Sequence, residues 1–581
     1  METLWRIAEV DRVSVDALAR ETGLPPIVAR LLRTRGVSDV HEARQFLAPD
    51  RAALHDPLRM MGMREAADVL AHSARNHRRV VVFGDYDVDG VTAVAQLKAA
   101  LLRVGADAVS FLPHRIRDGY GLKPETVRRV AQELRPSVIV TVDCGITAIE
   151  GVACARAAGI EVIVTDHHLV PEELPAGAIV VNPKQPGCGY PEKNLAAAGI
   201  AFKISEAVVA TAGVRLSSES LLRAACLGTI ADLVPLIGEN RTIAALGLAS
   251  LAAARAPGLR SLLSESGVPP GQAPTSEEVA FRIAPRLNAA GRLDTAELAL
   301  SLFEERDPGR AARVARELTM RNAERQSIER RLARELRETL ARNFDPESHA
   351  IIVEFQEGWH RGVLGIAASR LAREYRRPVL LFAVEGERAF GSGRSIPGVP
   401  LHDTLKEMTE FFTDFGGHDQ AVGGSLPASR LNEMREAARA LFAARVPRER
   451  FRPVEEAEAE LDIDSVDEEL WRHLAAFEPH GMGNARPVFS SEMTPVRRFR
   501  ELGESGQRGW LRRARGDLDG ICWRPELREV LSADAPFTGH YRLARNRAGR
   551  LEAEIVAARP RGEGTRAAET QSAVASLEQT G

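Results

Sequence analysis

Val80-Val81-Val82-Phe83-Gly84-Asp85-Tyr86-Asp87-Val88-Asp89-Gly90 is the stretch on which the reading of this chain turns. Four apolar, mostly β-branched residues in an unbroken run predict a strand buried on both faces. They deliver the chain into three carboxylates at alternate positions, then a glycine, then a helical pattern over 91–104. In an open α/β sheet, ligands bind where the carboxyl ends of strands meet the loops that follow. Acids at alternate positions of an extended segment point the same way and can converge on one cation. Crowded carboxylates repel one another, and a divalent metal relieves that repulsion. Taken alone, a solvated acidic turn or a helix-capping aspartate would read the same.

The segments that follow repeat the pattern. Apolar runs at 109–112, 138–142, 162–165 and 179–181 alternate with helical stretches such as 126–134. Strands separated by helices imply a doubly wound, mostly parallel α/β sheet. The run to Val142 ends in Asp143, and the run to Thr165 ends in Asp166-His167-His168. A further run, Ala225–Ile230, leads into Asp232 and is read as a fourth segment at the same sheet edge. Chance could place any one of these acids, but hardly all of them. Oxygen donors with one imidazole suit Mn²⁺, Mg²⁺ or Fe²⁺ better than structural zinc.

The rest of the chain sets bounds. Its 581 residues are too many for one compact domain and suit three or four. A formal charge of −3 gives no global nucleic-acid signature, although residues 487–560 carry 14 Arg against 10 acids. The five cysteines, Cys144, Cys154, Cys188, Cys226 and Cys522, form no C-x-x-C, which speaks against a disulfide scaffold or a zinc finger. No apolar run approaches the ~20 residues of a membrane span. METLWRIAEVDRVSVD lacks a basic-then-apolar export pattern, so a cytoplasmic protein without membrane association is expected. Residues 1–49 read as short helices, and 305–343 as one long exposed helix joining two lobes. A second α/β lobe opens with a strand at 349–354. Short strand-like pieces at 496–499, 510–513, 520–523, 540–545 and 551–557 suggest a small β-barrel.

GDYDVDG, VDCG and TDHH resemble the DHH phosphoesterase superfamily. RIRDGYGLK (115–123), AAGIAFK (197–203), IADLVPLIGENR (230–241), APRLNAAGRL (284–293), WHRGVLGIAASRL (359–371), GSGRS (391–395) and GGHDQAVGG (416–424) resemble its RecJ-type branch of single-strand-specific 5′→3′ DNA exonucleases. The resemblance covers about residues 20–560 and implies an architecture. An N-terminal helical segment (1–50) precedes a DHH catalytic domain (51–245), and a helical region with the long connecting helix follows (246–345). A smaller α/β DHH-associated domain (346–445), an OB-like barrel for nucleic acid (452–560) and a disordered tail (561–581) complete it.

It also implies a site with two divalent ions, Mn²⁺ or Mg²⁺. Asp87 and Asp89 would each hold one ion, Asp143 would bridge them, and His167 and Asp232 would complete the second. His168 would lie beside the phosphate and act with Asp143, while Asp85 would sit at the rim of the cluster in a catalytic role. Some superfamily members have His where this chain has Phe83, which implies a poorer first ligand set. Arg115, Ser392 and Arg394 would grip a 5′-terminal phosphate, with His418 on the scissile or a neighbouring phosphate. The Gly-Ser-Gly-Arg and Gly-Gly-His segments are also compatible with an ordinary turn and a helix cap. Tyr120 could stack on a base or anchor a turn. Arg286, Asn288 and Arg292 could contact the strand or brace the metal ligands, and Trp510, Trp523 or Tyr541 could stack on bases or fill the barrel core. The implied partners are single-stranded DNA, a single-strand-binding protein and a RecQ-type helicase, with the chain monomeric. Nano-RNases, cyclic-dinucleotide phosphodiesterases and family II pyrophosphatases share the motifs but generally end after the second lobe; a non-catalytic scaffold would lack metal ligands.

Overall fold

The computed structural model describes residues 3–562 except 116, 504–505 and 547; the disordered tail expected from 561 falls, from 563 on, outside the described residues. Five parallel strands form the first sheet, in the spatial order Ala108–Phe111, Val80–Phe83, Val138–Val142, Glu161–Thr165, Ile179–Val181. All four residues of Val80–Phe83 are buried, as a strand covered on both faces requires. Helices Met63–Arg75, Val88–Arg103 and Ala197–Thr211 pack on one face, and Pro124–Leu134 and Ile149–Ala157 on the other. The chain leaves the neighbouring strands Val80–Phe83 and Val138–Val142 in opposite directions. Their carboxyl ends therefore flank a switch point, the crevice where such sheets bind ligands.

One expected segment is corrected. Ala225–Ile230 is not a strand but the end of the helix Ser218–Ala231, and Asp232 is its C-cap. A short, continuously buried apolar run does not by itself distinguish a strand from a buried helix. Asp232 still reaches the crevice, carried there by the helix.

The long helix is Pro308–Asn343, 36 residues or about 54 Å, with Asp307 capping its first turn. It is not exposed along its length. Ala315 and Leu318 enter the first core, and Leu332, Leu336 and Leu340 enter the second. The second lobe is a five-stranded sheet in the order Asp414–His418, Ala421–Pro427, Arg388–Arg394, Val379–Glu385, Ile352–Glu357, with only the last pair parallel. Helix Arg361–Tyr375 packs on the strands Val379–Glu385 and Arg388–Arg394.

The described residues of 3–47, 454–477 and 485–562 form a second compact unit, and both lobes belong to the first. Its seven-stranded sheet runs Ala459–Glu460, Phe489–Met493, Phe537–Arg545, Leu551–Pro560, Leu518–Cys522, Gly506–Leu511, Pro495–Leu502. The N-terminal segment is not purely helical. Leu4–Ile7 is a strand paired in parallel with Val454–Ala457. Val28, Leu31, Leu32 and Phe46 from its helices share one core with Phe489, Phe537 and Tyr541. Among the described residues, no helix is long and apolar enough to cross a membrane.

Candidate metal centre

The loop after Val80–Phe83 brings its carboxylates to the crevice in two ways. Asp87 caps the helix Val88–Arg103, accepting from Gly90 N at 3.1 Å, so the capping reading and the cluster reading both hold for it. Asp89 is the second residue of that helix, buried in its first turn, with Ala197 N and Ala198 N each donating to it at 2.8 Å from the start of helix Ala197–Thr211. Gly228 makes room for it: a Cβ there would stand 2.6 Å from Asp89 Oδ1 and 2.4 Å from Ala198 Cβ. Asn288 fixes the loop from across the crevice, its Oδ1 accepting from Val88 N at 3.1 Å.

Asp143 ends the neighbouring strand with φ +64°, a left-handed conformation that asparagine and aspartate tolerate best among residues with a Cβ. That turn places its carboxylate between two groups of candidate ligands. Asp85, Asp87 and Asp143 form one; Asp89, His167 and Asp232 form the other. His167 Nε2 lies 3.3 Å from Asp143 Oδ1, and its Nδ1 lies 3.6 Å from Asp232 Oδ2. Asp85 is buried within the first group rather than at its rim. It adds an oxygen donor where Phe83 offers none; the Phe83 ring is buried and stacks on Phe111.

The electrostatics fit a bound cation. Burial, then the charge of Asp87, pushes Asp85 well above the ordinary carboxylate range, and the same two causes take Asp89 to about 7. Asp143 and Asp232 rise for the same reason, burial among other acids. Burial lowers His167 to about 3, leaving the neutral imidazole a metal ligand needs. Asp85 Oδ1 and His167 Nε2 are buried without a hydrogen-bond partner. Buried polar atoms are ordinarily satisfied, so two such atoms aimed into a carboxylate cluster mark a place for a divalent ion. Oxygens with one nitrogen suit Mn²⁺ or Mg²⁺.

Three residues to which the sequence reading assigns no role support the site. Asp166 is buried and takes four contacts: from His167 N (2.7 Å), His168 N (3.1 Å), His168 Nδ1 (2.7 Å) and Ile146 N (2.9 Å). Burial pulls His168 down, but the Asp166 hydrogen bond and charge outweigh it and raise its pKa. Lys184 Nζ donates to His167 O at 2.6 Å, and Asn182 Nδ2 to His168 O at 3.0 Å. The TDHH motif could have flagged Asp166; nothing in the sequence singles out Asn182 or Lys184. Tyr120 donates its hydroxyl to Asp143 O at 3.0 Å and lies edge-on to His168, so it anchors the ligand turn.

Cations gather across the crevice. Arg394 donates to Ser392 Oγ (3.2 Å) and Gly393 O (2.7 Å), and lies next to Gly365 of helix Arg361–Tyr375. Its pKa is lowered by burial and then by Arg115, whose guanidinium stacks over Tyr86 at 4.8 Å. Arg292, which donates to Gly362 O at 3.3 Å, is pulled down to about 9 by burial and then by Arg115, Arg325 and Arg394. His418 is lowered by burial and by Arg394, with His168 also acting on it. Mutually repelling cations held together beside a carboxylate cluster suit a phosphate. Arg286 does not join them: its Nε donates to Thr319 Oγ1 at 3.2 Å on the long helix. In the second unit Tyr541 is core, its hydroxyl donating to Leu461 O at 3.0 Å, whereas Trp510 and Trp523 are exposed by 37% and 52%.

Residues 79–229 match the DHH family N-terminal domain, 348–444 the DHHA1 domain and 457–552 the RecJ OB domain. The single-stranded-DNA-specific exonuclease RecJ of Bacillus subtilis is 36% identical over 501 residues, 86% of this chain and 63% of that protein. The chain thus spans somewhat less than two thirds of that relative's length. RecJ of Dickeya dadantii is 37% identical over 433 residues, 71% of this chain and 74% of its own. The crystal structure of RecJ in complex with Mn²⁺ from Thermus thermophilus matches with a TM-score of 0.82 at 31% identity, covering 96% of this chain and 79% of that one. With all three domains matched in order around a carboxylate centre suited to divalent ions, the chain belongs to the RecJ family of single-stranded-DNA-specific exonucleases, metal-dependent hydrolases of the DHH type.

Proposed function

We propose that the chain removes 5′-mononucleotides stepwise from the 5′ end of single-stranded DNA, in recombination and repair. The observation that carries this reading is the pairing of two ligand groups that meet where Asp143 faces His167 at 3.3 Å with the cations Arg115, Arg292 and Arg394 opposite. The cofactors are divalent ions of the Mn²⁺ or Mg²⁺ kind. One would be held by Asp85, Asp87 and Asp143, the other by Asp89, His167 and Asp232, with Asp143 common to both. Bound there, such a pair supplies charge neutralisation for the phosphodiester and activates water for in-line displacement.

The remaining chemistry belongs to the protein's own residues, which bind and orient. Arg115, Ser392 and Arg394 hold the 5′-terminal phosphate and so set which phosphodiester is presented. His168, kept protonated by Asp166 toward neutral pH, donates to a non-bridging oxygen of the scissile phosphate, and His418 contacts a neighbouring one. Asn288 and the Tyr120 hydroxyl keep the ligand turns in place. A barrel with exposed tryptophans after the second lobe supports a polymer over a dinucleotide. Work as a monomer in the cytoplasm, with a single-strand-binding protein and a RecQ-type helicase, is part of the same reading.

The test incubates the protein and Asp143→Ala with a 5′-phosphorylated, 3′-labelled single strand in Mn²⁺. Parallel tubes hold the duplex, a 5′-hydroxyl strand and a cyclic dinucleotide. The expected result is stepwise shortening of the single strand from its 5′ end, absent in the variant and slower on the 5′-hydroxyl strand. Turnover of the dinucleotide with the long strand intact would replace the substrate assignment.

A further inference from the structure

Arg115 and Ser392, two of the three residues proposed to grip the 5′-terminal phosphate, line a larger cavity. Its volume is about 360 Å³, within the range of small-ligand pockets and well beyond the needs of one phosphate. Tyr86, Arg115 and Ser392 line one end. Along the strand Arg388–Arg394, alternate residues face helix Arg361–Tyr375, so Phe390 and Arg388 continue the row that begins with Arg394 and Ser392. Each step of two residues is about 7 Å. The row therefore leads away from the carboxylates, to the far side of the terminal phosphate.

That far end is built for negative charge. Arg361 Cζ lies 3.0 Å from the centroid of the Phe390 ring, and Arg388 Cζ lies 5.0 Å from it. With both guanidinia on Phe390, its ring is not free to stack on a base. Arg388 donates to Ser425 Oγ at 3.1 Å, and Arg361 pairs with Glu385 at 2.6 Å while its Nε is buried without a partner. Arg361 and Gly362 also form the start of a 15-residue helix whose amino end opens on the cavity. Glycines 391, 423 and 424 line it without side chains. One carboxylate, Asp414, lines it too, against the three arginines 115, 361 and 388.

We propose that this extension takes the outer phosphates of a 5′-triphosphate, so that strands ending in a polyphosphate are substrates as well as those ending in a monophosphate. The inference rests on the placement of the terminal phosphate at Arg115, Ser392 and Arg394. The α-phosphate stays there, and the β- and γ-phosphates follow the row toward Arg361 and Arg388. Water then attacks the first internucleotide phosphorus and the 3′-oxygen of the first nucleotide leaves. The first product is a nucleoside 5′-triphosphate with a free 3′-hydroxyl, and the remaining strand carries a 5′-monophosphate. No anhydride bond is broken.

The experiment compares 3′-labelled single strands of one sequence ending in 5′-triphosphate, 5′-monophosphate or 5′-hydroxyl, with the first released nucleotide identified by anion-exchange chromatography. The native protein should release a nucleoside triphosphate first, at a rate within about threefold of the monophosphate strand. Arg388→Glu, on an exposed side chain, should slow the triphosphate strand about tenfold or more and leave the monophosphate strand unchanged. Arg361→Gln should act in the same direction, with monophosphate turnover reporting that the variant is folded. A free nucleoside triphosphate in excess should inhibit the triphosphate strand more in the native protein than in Arg388→Glu; equal inhibition would locate free nucleotide elsewhere and count against the extension. A resistant triphosphate strand beside a degraded monophosphate strand overturns this proposal alone. Equal slowing of both strands by Arg388→Glu does the same. Failure on the monophosphate strand overturns the underlying reading instead.

Discussion

At the scale of single residues, the centre stores repulsion that a cation relieves, and this has a pH signature. An unfolded aspartate gives up its proton near pH 4, whereas Asp89 in the fold keeps its proton to about 7 and Asp85, Asp143 and Asp232 are also raised. Over that window the folded chain binds more protons than the unfolded one, so raising the pH removes stability. His167 works the other way: neutral in the fold down to about 3, it costs stability only below the unfolded imidazole value near 6.5. Above pH 6.5 His167 no longer counts, and the carboxylates act in the same direction as His168, whose pKa is raised. The metal-free protein in chelator should therefore melt at falling temperature from pH 6.5 to 8.5, by about 1 °C per kcal/mol lost in a unit of this size. Saturating Mn²⁺ should flatten the slope, giving its largest stabilisation at the alkaline end. A melting temperature that rises with pH in chelator would contradict the crowding argument. Asp166→Asn tests the neighbouring residue. Mn²⁺ affinity should hold within about threefold, while the acid form of His168 becomes harder to keep and the alkaline limb of kcat moves to lower pH. A variant that loses metal and activity together would make Asp166 part of the metal scaffold instead.

At the scale of elements, the sequence revealed what short-range chemistry dictates and missed what packing decides. The strand Val80–Phe83 was legible to the residue, because an apolar run stopped by Gly84-Asp85 has few other readings. Asp143 and the His167-His168 pair were legible for the same reason. The helix carrying Asp232 was not, because a buried helix shows no polar stripe. Nor was the strand Leu4–Ile7, whose partner lies some 450 residues away. The Arg361 and Arg388 row escaped notice because a helix start and a strand meet only in three dimensions. Helix crossings carry a testable consequence at Gly228. An added methyl would meet Ala198 Cβ, Thr92 Oγ1 and Asp89 Oδ1 at 2.4–2.6 Å. Gly228→Ala should cost about 1–3 kcal/mol through overpacking and lower activity about tenfold or more, because Asp89 must move. Mn²⁺ titration should show weaker binding; stability lost with metal affinity intact would mean Asp89 is not where the strain falls.

At the scale of the whole molecule, the question is what the second unit adds to a centre already complete within the first. Its barrel exposes Trp510, with Arg497 Cζ 5.0 Å from the ring, and Trp523, within a region that carries 14 arginines against 10 acids. Stacking on aromatic faces together with backbone charge is how single strands are held without regard to sequence. Such a grip is salt-dependent, with log K falling by about 0.7 per phosphate for each decade of salt. A strand long enough to occupy both the centre and the barrel should then lose turnover at limiting substrate more steeply with salt than one of a few nucleotides. Trp510→Ala and Trp523→Ala together should remove about 1–3 kcal/mol per stacked base from long-strand binding and leave short-strand kcat unchanged. Arg497→Ala should reduce the salt slope on the long strand toward that on the short one. Equal slopes for long and short strands in the native protein would take the barrel out of substrate binding and leave the two lobes to choose the substrate.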